Sequence, residues 1–129
     1  MKPVSRIVIA IATYLLLPLS VLAASQRPFD EQAFNAAQAA GTPVLIEIHA
    51  DWCPTCKAQL PILDKLSGTS DYSSIVRFRV DFDSQKNLVK RFGARMQSTL
   101  VLYKGGKEVA RSVGETDEGR IRAMLAKAR

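Results

Sequence analysis

Val44-Leu45-Ile46-Glu47-Ile48-His49-Ala50-Asp51-Trp52-Cys53-Pro54-Thr55-Cys56-Lys57 decides how this 129-residue chain is read. Its first half is apolar at nearly every position, the pattern of a strand covered on both faces, as in a parallel sheet. Pro54 suits the first position of a helix, where its missing N–H costs nothing. That puts Cys53 at the cap, with free N–H groups and the positive end of the helix dipole facing its sulfur, an arrangement that favours a thiolate. Cys56, three residues on, lies on the same face about one turn along, so its sulfur can reach that of Cys53. A bridge between them closes so short a loop that it stabilises little through chain entropy. Redox exchange is the better account of such a pair. Cys53 is expected as the exposed thiolate that attacks a disulfide, and Cys56 as the more buried thiol that then displaces the partner.

The flanking chain supplies the rest of a domain. Upstream, Pro28 is expected to open a helix with Phe29, Ala33, Phe34, Ala37 and Ala40 at helical spacing, stopped at Gly41. Downstream, Cys56 to Ser67 reads as a helix, with Pro61 as a kink. Ile75 to Val80 alternates as a strand, and Asp83 is a candidate cap for a short helix from Ser84 to Phe92. Thr99 to Tyr103 and Glu108 to Val113 form a hairpin across Lys104-Gly105-Gly106-Lys107. A last helix carries Ile121, Met124, Leu125 and Ala128, capped at Thr116 or Asp117. The order predicts an α/β domain, a central mixed sheet of four to five strands flanked by helices on both faces.

Residues 1–24 read differently. Lys2 and Arg6 precede an uncharged apolar run, and Val21-Leu22-Ala23-Ala24-Ser25 offers small residues to a signal peptidase. This is the pattern of a secretory leader, or of an uncleaved anchor, ahead of a domain spanning 25–129. The expected location is periplasmic or otherwise exported. The chain has 18 basic and 12 acidic residues, a net +6 to which the leader contributes two. The basic residues are scattered, which argues against nucleic acid as a partner. Two cysteines and one histidine exclude a multi-disulfide scaffold and a zinc site of four Cys or His ligands.

Trp52-Cys53-Pro54-Thr55-Cys56-Lys57, followed by Pro61 and Asp64, resembles the thioredoxin superfamily, and the resemblance extends over residues 29–129. It implies a thioredoxin-like fold and a thiol-disulfide oxidoreductase whose redox group is the Cys53–Cys56 pair, with no further cofactor. It implies that Glu47, six residues before Cys53, is a buried acid that relays protons to or from Cys56. Arg79 stands where the family has a lysine near that acid. Trp52, Pro54, Thr55, Lys57, Gln97, Ser98 and Thr99 become substrate-binding or tuning residues. The family's cis-proline before Thr99 is replaced by Ser98. A trans Gln97–Ser98 peptide is therefore expected, with the Ser98 hydroxyl as a candidate partner for the Cys53 sulfur. Protein thiols or disulfides and a membrane-embedded redox partner are the implied partners, reduction the favoured direction, and a monomer the expected state. The alternative from another class is a metal-binding or metal-delivery protein using Cys53 and Cys56, with His49 as a third ligand. A third is a binding module whose cysteines only hold shape.

Overall fold

The computed structural model describes residues 25–129, so the expected leader lies outside the described residues. The chain enters as a two-residue strand β1 (Arg27–Pro28), followed by α1 (Glu31–Ala39) and β2 (Val44–His49). Then come α2 (Pro54–Ser67), β3 (Val76–Asp81), α3 (Lys86–Arg91), β4 (Thr99–Lys104), β5 (Lys107–Val113) and α4 (Glu118–Leu125), which ends in a 3-10 turn over Ala126–Ala128. The sheet has the order β1-β3-β2-β4-β5. β1 and β2 run parallel to β3, whereas β4 is antiparallel to both β2 and β5. Five strands and helices on both faces match the architecture expected from the element order.

All six residues of β2 are buried, as its unbroken apolar start demands of a central strand. On one face Leu45, Leu100 and Leu102 pack with Leu63 and Leu66 of α2 and Ile121, Met124 and Leu125 of α4. On the other, Ile46, Ile48, Phe78 and Val101 pack with Phe34 of α1 and Val89 of α3. Phe29, Phe34, Phe78, Phe92 and Tyr103 meet mostly edge to face, with ring centroids 5.4–5.9 Å apart. That geometry sets the electropositive ring edges against ring faces.

Two local expectations are corrected and a third is narrowed to one residue. Pro28 does not open α1. It lies in β1, paired with Arg79, and Asp30 caps the helix by accepting the Ala33 N–H at 2.6 Å. A proline on a short edge strand loses no sheet hydrogen bond, and an aspartate accepts what a proline cannot. Asp83 does not cap α3, because its carboxylate is held elsewhere. Gln85 is the cap residue and makes no side-chain cap bond, while Asp81 closes the preceding turn through the Asp83 and Ser84 N–H groups. Of the two candidates for α4, Asp117 is the cap, accepting the Arg120 N–H at 2.8 Å. The hairpin forms as expected, with Gly105 (φ 58°) and Gly106 (φ 80°) in the left-handed region that a tight two-residue turn requires. A bulge interrupts the β4–β5 register at Leu102/Tyr103.

Phe78 is fully buried and meets Phe29 edge to face. Phe78→Ala is expected to destabilise the domain by about 3–5 kcal/mol. Urea unfolding would show this as a lower midpoint with an unchanged slope.

Candidate active site

The strand-to-helix junction places both cysteines. β2 ends at His49, the chain turns through Ala50, Asp51 and Trp52, and Cys53 becomes the N-cap of α2 with extended backbone (φ −81°, ψ 111°). Pro54 takes the first helical position, as read from the sequence. The Cys53 sulfur accepts the Cys56 backbone N–H at 3.1 Å, so a sulfur does here what a serine or aspartate oxygen does at other helix starts. Both cysteines are free thiols in this structure. Cys53 is not the exposed thiol that was expected. It is 1% exposed and Cys56 is 3% exposed. The cause is local packing. Turning its sulfur onto the helix start buries Cys53 in a cluster with Ala50 and Cys56, against which Phe82 packs. Burial, above all, pushes the Cys56 thiol up to about 11. The hydrogen bond and the charge of Cys53 push the same way, whereas backbone at Ala50 and Ser98 works against them.

Around the dithiol, Trp52 is exposed and its indole N–H donates to Asp83 Oδ2 at 2.7 Å. Pro54 and Lys57 are exposed and Thr55 is half-buried. The half-buried Gln97, Ser98 (4% exposed) and Thr99 precede and begin β4. The Gln97–Ser98 peptide is trans, as expected. Ser98 adopts φ 57°, the only positive φ among the described non-glycine residues. Its hydroxyl does not approach the Cys53 sulfur as a partner; it donates to Gln97 O at 2.6 Å. His49 Nε2 lies 3.3 Å from Asp51 Oδ1. Burial, then the Arg79 guanidinium, hold the imidazole below its ordinary range, so it is neutral. Among the described residues no three His, Cys, Asp or Glu side chains gather into a metal-holding group, so His49 does not join the two cysteines as a third ligand.

Glu47 is buried inside the sheet and is held from two sides. Arg77 Nε donates to Oε1 at 2.6 Å and Arg77 Nη2 to Oε2 at 3.2 Å. Gln26 Nε2 donates to Oε2 at 2.6 Å. Arg77, 1% exposed, also donates through Nη1 to Asp64 Oδ1 at 2.7 Å. Burial raises the Glu47 carboxyl above the usual glutamate range, against the pull of Arg77 and Gln26. The expected partner, Arg79, is not that neighbour. It sits directly across from Glu47 in the register, but its guanidinium extends to Asp51 Oδ1 at 2.5 Å. Arg77, two residues earlier on the same face of β3, takes the acid instead.

A thioredoxin family model matches residues 22–127. The chain belongs to the thioredoxin family. It is 38% identical over 92 residues to the thioredoxin of Chlamydia caviae, covering 71% of this chain and 87% of that one. It is 29% identical over 107 residues to the thioredoxin of Allochromatium vinosum, covering 82% and 94%. Among solved structures, Trxlp from Edwardsiella tarda superposes with a TM-score of 0.75 at 42% identity, over 78% of this chain and 98% of that one. Like its relatives, this thioredoxin is a thiol-disulfide oxidoreductase with its two cysteines at CXXC spacing. Arg77, Gln26, Gln59 and Asp83 are the site residues that sequence reasoning missed. Only Arg77 left a clear signal: the alternation of β3 puts Arg77 and Arg79 on one face, and either could have served Glu47.

Removing Arg77 would leave a buried carboxylate uncompensated. Arg77→Met is therefore expected to cost about 3–5 kcal/mol where Glu47 is ionised. The folded-state value of Glu47 is already raised and would rise further, so the penalty belongs to the pH range above it. It should shrink as acid protonates Glu47, and urea unfolding across a pH series would show this.

Proposed function

We propose that this thioredoxin is an exported reductase of protein disulfides, with Cys53 as nucleophile and Cys56 as resolving thiol. The observation that carries the reading is the hydrogen bond from the Cys56 N–H to the Cys53 sulfur at the start of α2. The start of a helix is a favourable place for a sulfur that carries negative charge when it attacks and again when it leaves.

The Cys53 thiolate attacks one sulfur of the substrate disulfide; the substrate S–S bond breaks, a Cys53–substrate disulfide forms, and the freed substrate thiolate takes a proton. Cys56 then gives up its proton and attacks the Cys53 sulfur. The second substrate thiol leaves, and the two electrons it gained remain with the substrate as the Cys53–Cys56 disulfide forms. The causes acting on Cys56 give this order a physical basis. Two of the influences that keep it protonated come from Cys53 itself, its hydrogen bond and its charge. Both are lost once Cys53 is tied into a mixed disulfide, so Cys56 becomes more acidic when its thiolate is needed. Glu47 is proposed as the proton acceptor in the second step, since its carboxyl is raised toward the range where it can take and return a proton.

Direction and place rest on the sequence. Trp52, Lys57 and Glu47 resemble reductive thioredoxins, while Pro54 resembles the Cys-Pro-x-Cys of periplasmic oxidants. Residues 1–24 resemble a leader, and among the described residues no helix is long and apolar enough to cross a membrane. A reductase working outside the cytoplasm needs electrons, and a membrane-embedded dithiol partner is the proposed source. The enzyme is proposed to act as a monomer, with the dithiol as its only redox group.

Cys53→Ser is expected to abolish insulin-disulfide reduction while leaving the near-UV circular dichroism unchanged. Retained turnover would remove Cys53 from the role of nucleophile. Cys56→Ser should accumulate mixed disulfides visible on non-reducing gels, and their mass-spectrometric identity reports the substrates. In single turnover, the resolving step should accelerate with rising pH while Cys56 remains protonated, by up to about tenfold per pH unit. For export, residues 1–24 fused to a reporter that works only outside the cytoplasm should give signal; a silent, cytoplasmic fusion would contradict the proposed location.

A further inference from the structure

Gln59 lies on α2 three residues after Cys56, and both face inward. At 4% exposure, its amide would be costly to bury without partners. It has two, both far along the chain. Nε2 donates to Ser98 O at 3.1 Å and to Glu115 O at 2.9 Å. An amide nitrogen has two hydrogens, so both are used. One acceptor immediately precedes β4 and the other follows β5. One side chain of the cysteine-bearing helix thus ties down two loops.

The Ser98 turn needs tying. A left-handed conformation at a residue with a Cβ costs on the order of 1 kcal/mol or more and persists only where the surroundings impose it. Here the Ser98 N–H donates to Ile48 O at 2.8 Å, and its carbonyl accepts from the Gly114 N–H at 3.0 Å as well as from Gln59. The turn is pinned by β2, by the residue after β5 and by α2. Gln59 lies one turn along α2 from Cys56 on the same inward face, so the Ser98 carbonyl it holds is tied to the face that carries the resolving thiol.

We infer that Gln59 is a positioning residue of the redox centre, a latch that holds the Ser98 turn and the Glu115 loop against the Cys56 face of α2 and keeps the resolving sulfur dry. This deepens the exchange reading and rests on it for its part in turnover. Releasing the latch has two opposed effects on Cys56. Losing the Ser98 backbone would push the thiol up, whereas admitting water would bring it down. Burial is the largest influence on this sulfur and the Ser98 backbone a lesser one, so hydration wins.

The test is the pH-rate profile of Cys56 alkylation by iodoacetamide, in the full chain with Cys53→Ser so that one thiol remains. Gln59→Met keeps the length of the side chain and removes both donors; Gln59→Leu is the second variant should the first fail to fold. Relative to the Cys53→Ser parent, the midpoint is expected to fall by about one pH unit, which is an increase of about tenfold in rate at mildly alkaline pH. A folded variant whose midpoint is unmoved, or moves upward, overturns the inference, whatever happens to its melting temperature. Alkylation needs no exchange partner. A wild-type chain inactive on disulfides would therefore count against the exchange reading and leave this result readable.

Discussion

A helix that starts on a proline directs its first free N–H groups at the residue before it, and in this thioredoxin that residue is a cysteine. The bond from the Cys56 N–H to the Cys53 sulfur does two things at once. It completes the cap of α2, as an oxygen would elsewhere. It also fixes the Cys53 sulfur on the same helical turn as Cys56. The sheet exists, from the site's point of view, to hold that helix start in place. β2 is buried along its whole length and delivers the chain to Cys53, while β4 sets the Ser98 turn alongside.

Beneath this lies the buried Glu47–Arg77 pair. Two charged groups inside a sheet are expensive to desolvate, and their attraction offsets that cost only when the geometry is close and the remaining valences are filled. Both conditions hold. Arg77 grips Glu47 through Nε and Nη2, Gln26 takes a further carboxylate lone pair, and Asp64 receives the remaining guanidinium arm. Asp64 is exposed, so the network runs from the interior of the sheet to water.

How much of this could be read from residues alone follows from range. The strand of Val44–His49, the Pro54 start, the Cys53 cap and the trans peptide at Ser98 are local, decided by residues within a few positions of one another. Their reading stands. What failed was decided between elements. Spacing predicts that Cys53 sits at a helix tip, but not that Phe82, from beyond β3, packs against the cluster that buries it. It places an arginine near Glu47, but the reach of two neighbouring guanidinium groups determines which one, and Asp51 claims Arg79. Gln59 gives no signal in the sequence because both of its partners are backbone carbonyls from distant loops, and a carbonyl is the same in every residue. The Pro28 error had the same origin. A proline before an amphipathic run suits a helix start, yet pairing with β3 outweighed it.

The sheet's two borders bear on how the chain survives folding. One is closed by a strand of only two residues ending in a proline, which offers an incoming chain almost no free amide. The other, β5, carries Lys107, Glu108 and Arg111 and meets its neighbour through a bulge. Short length, proline, charge and irregular register are the features that stop one molecule's border from templating another's. A protein whose chemistry is thiol-disulfide exchange with other proteins brings their chains close to its own sheet. Borders that refuse to zip onto them keep each encounter confined to the sulfur atoms and guard against aggregation.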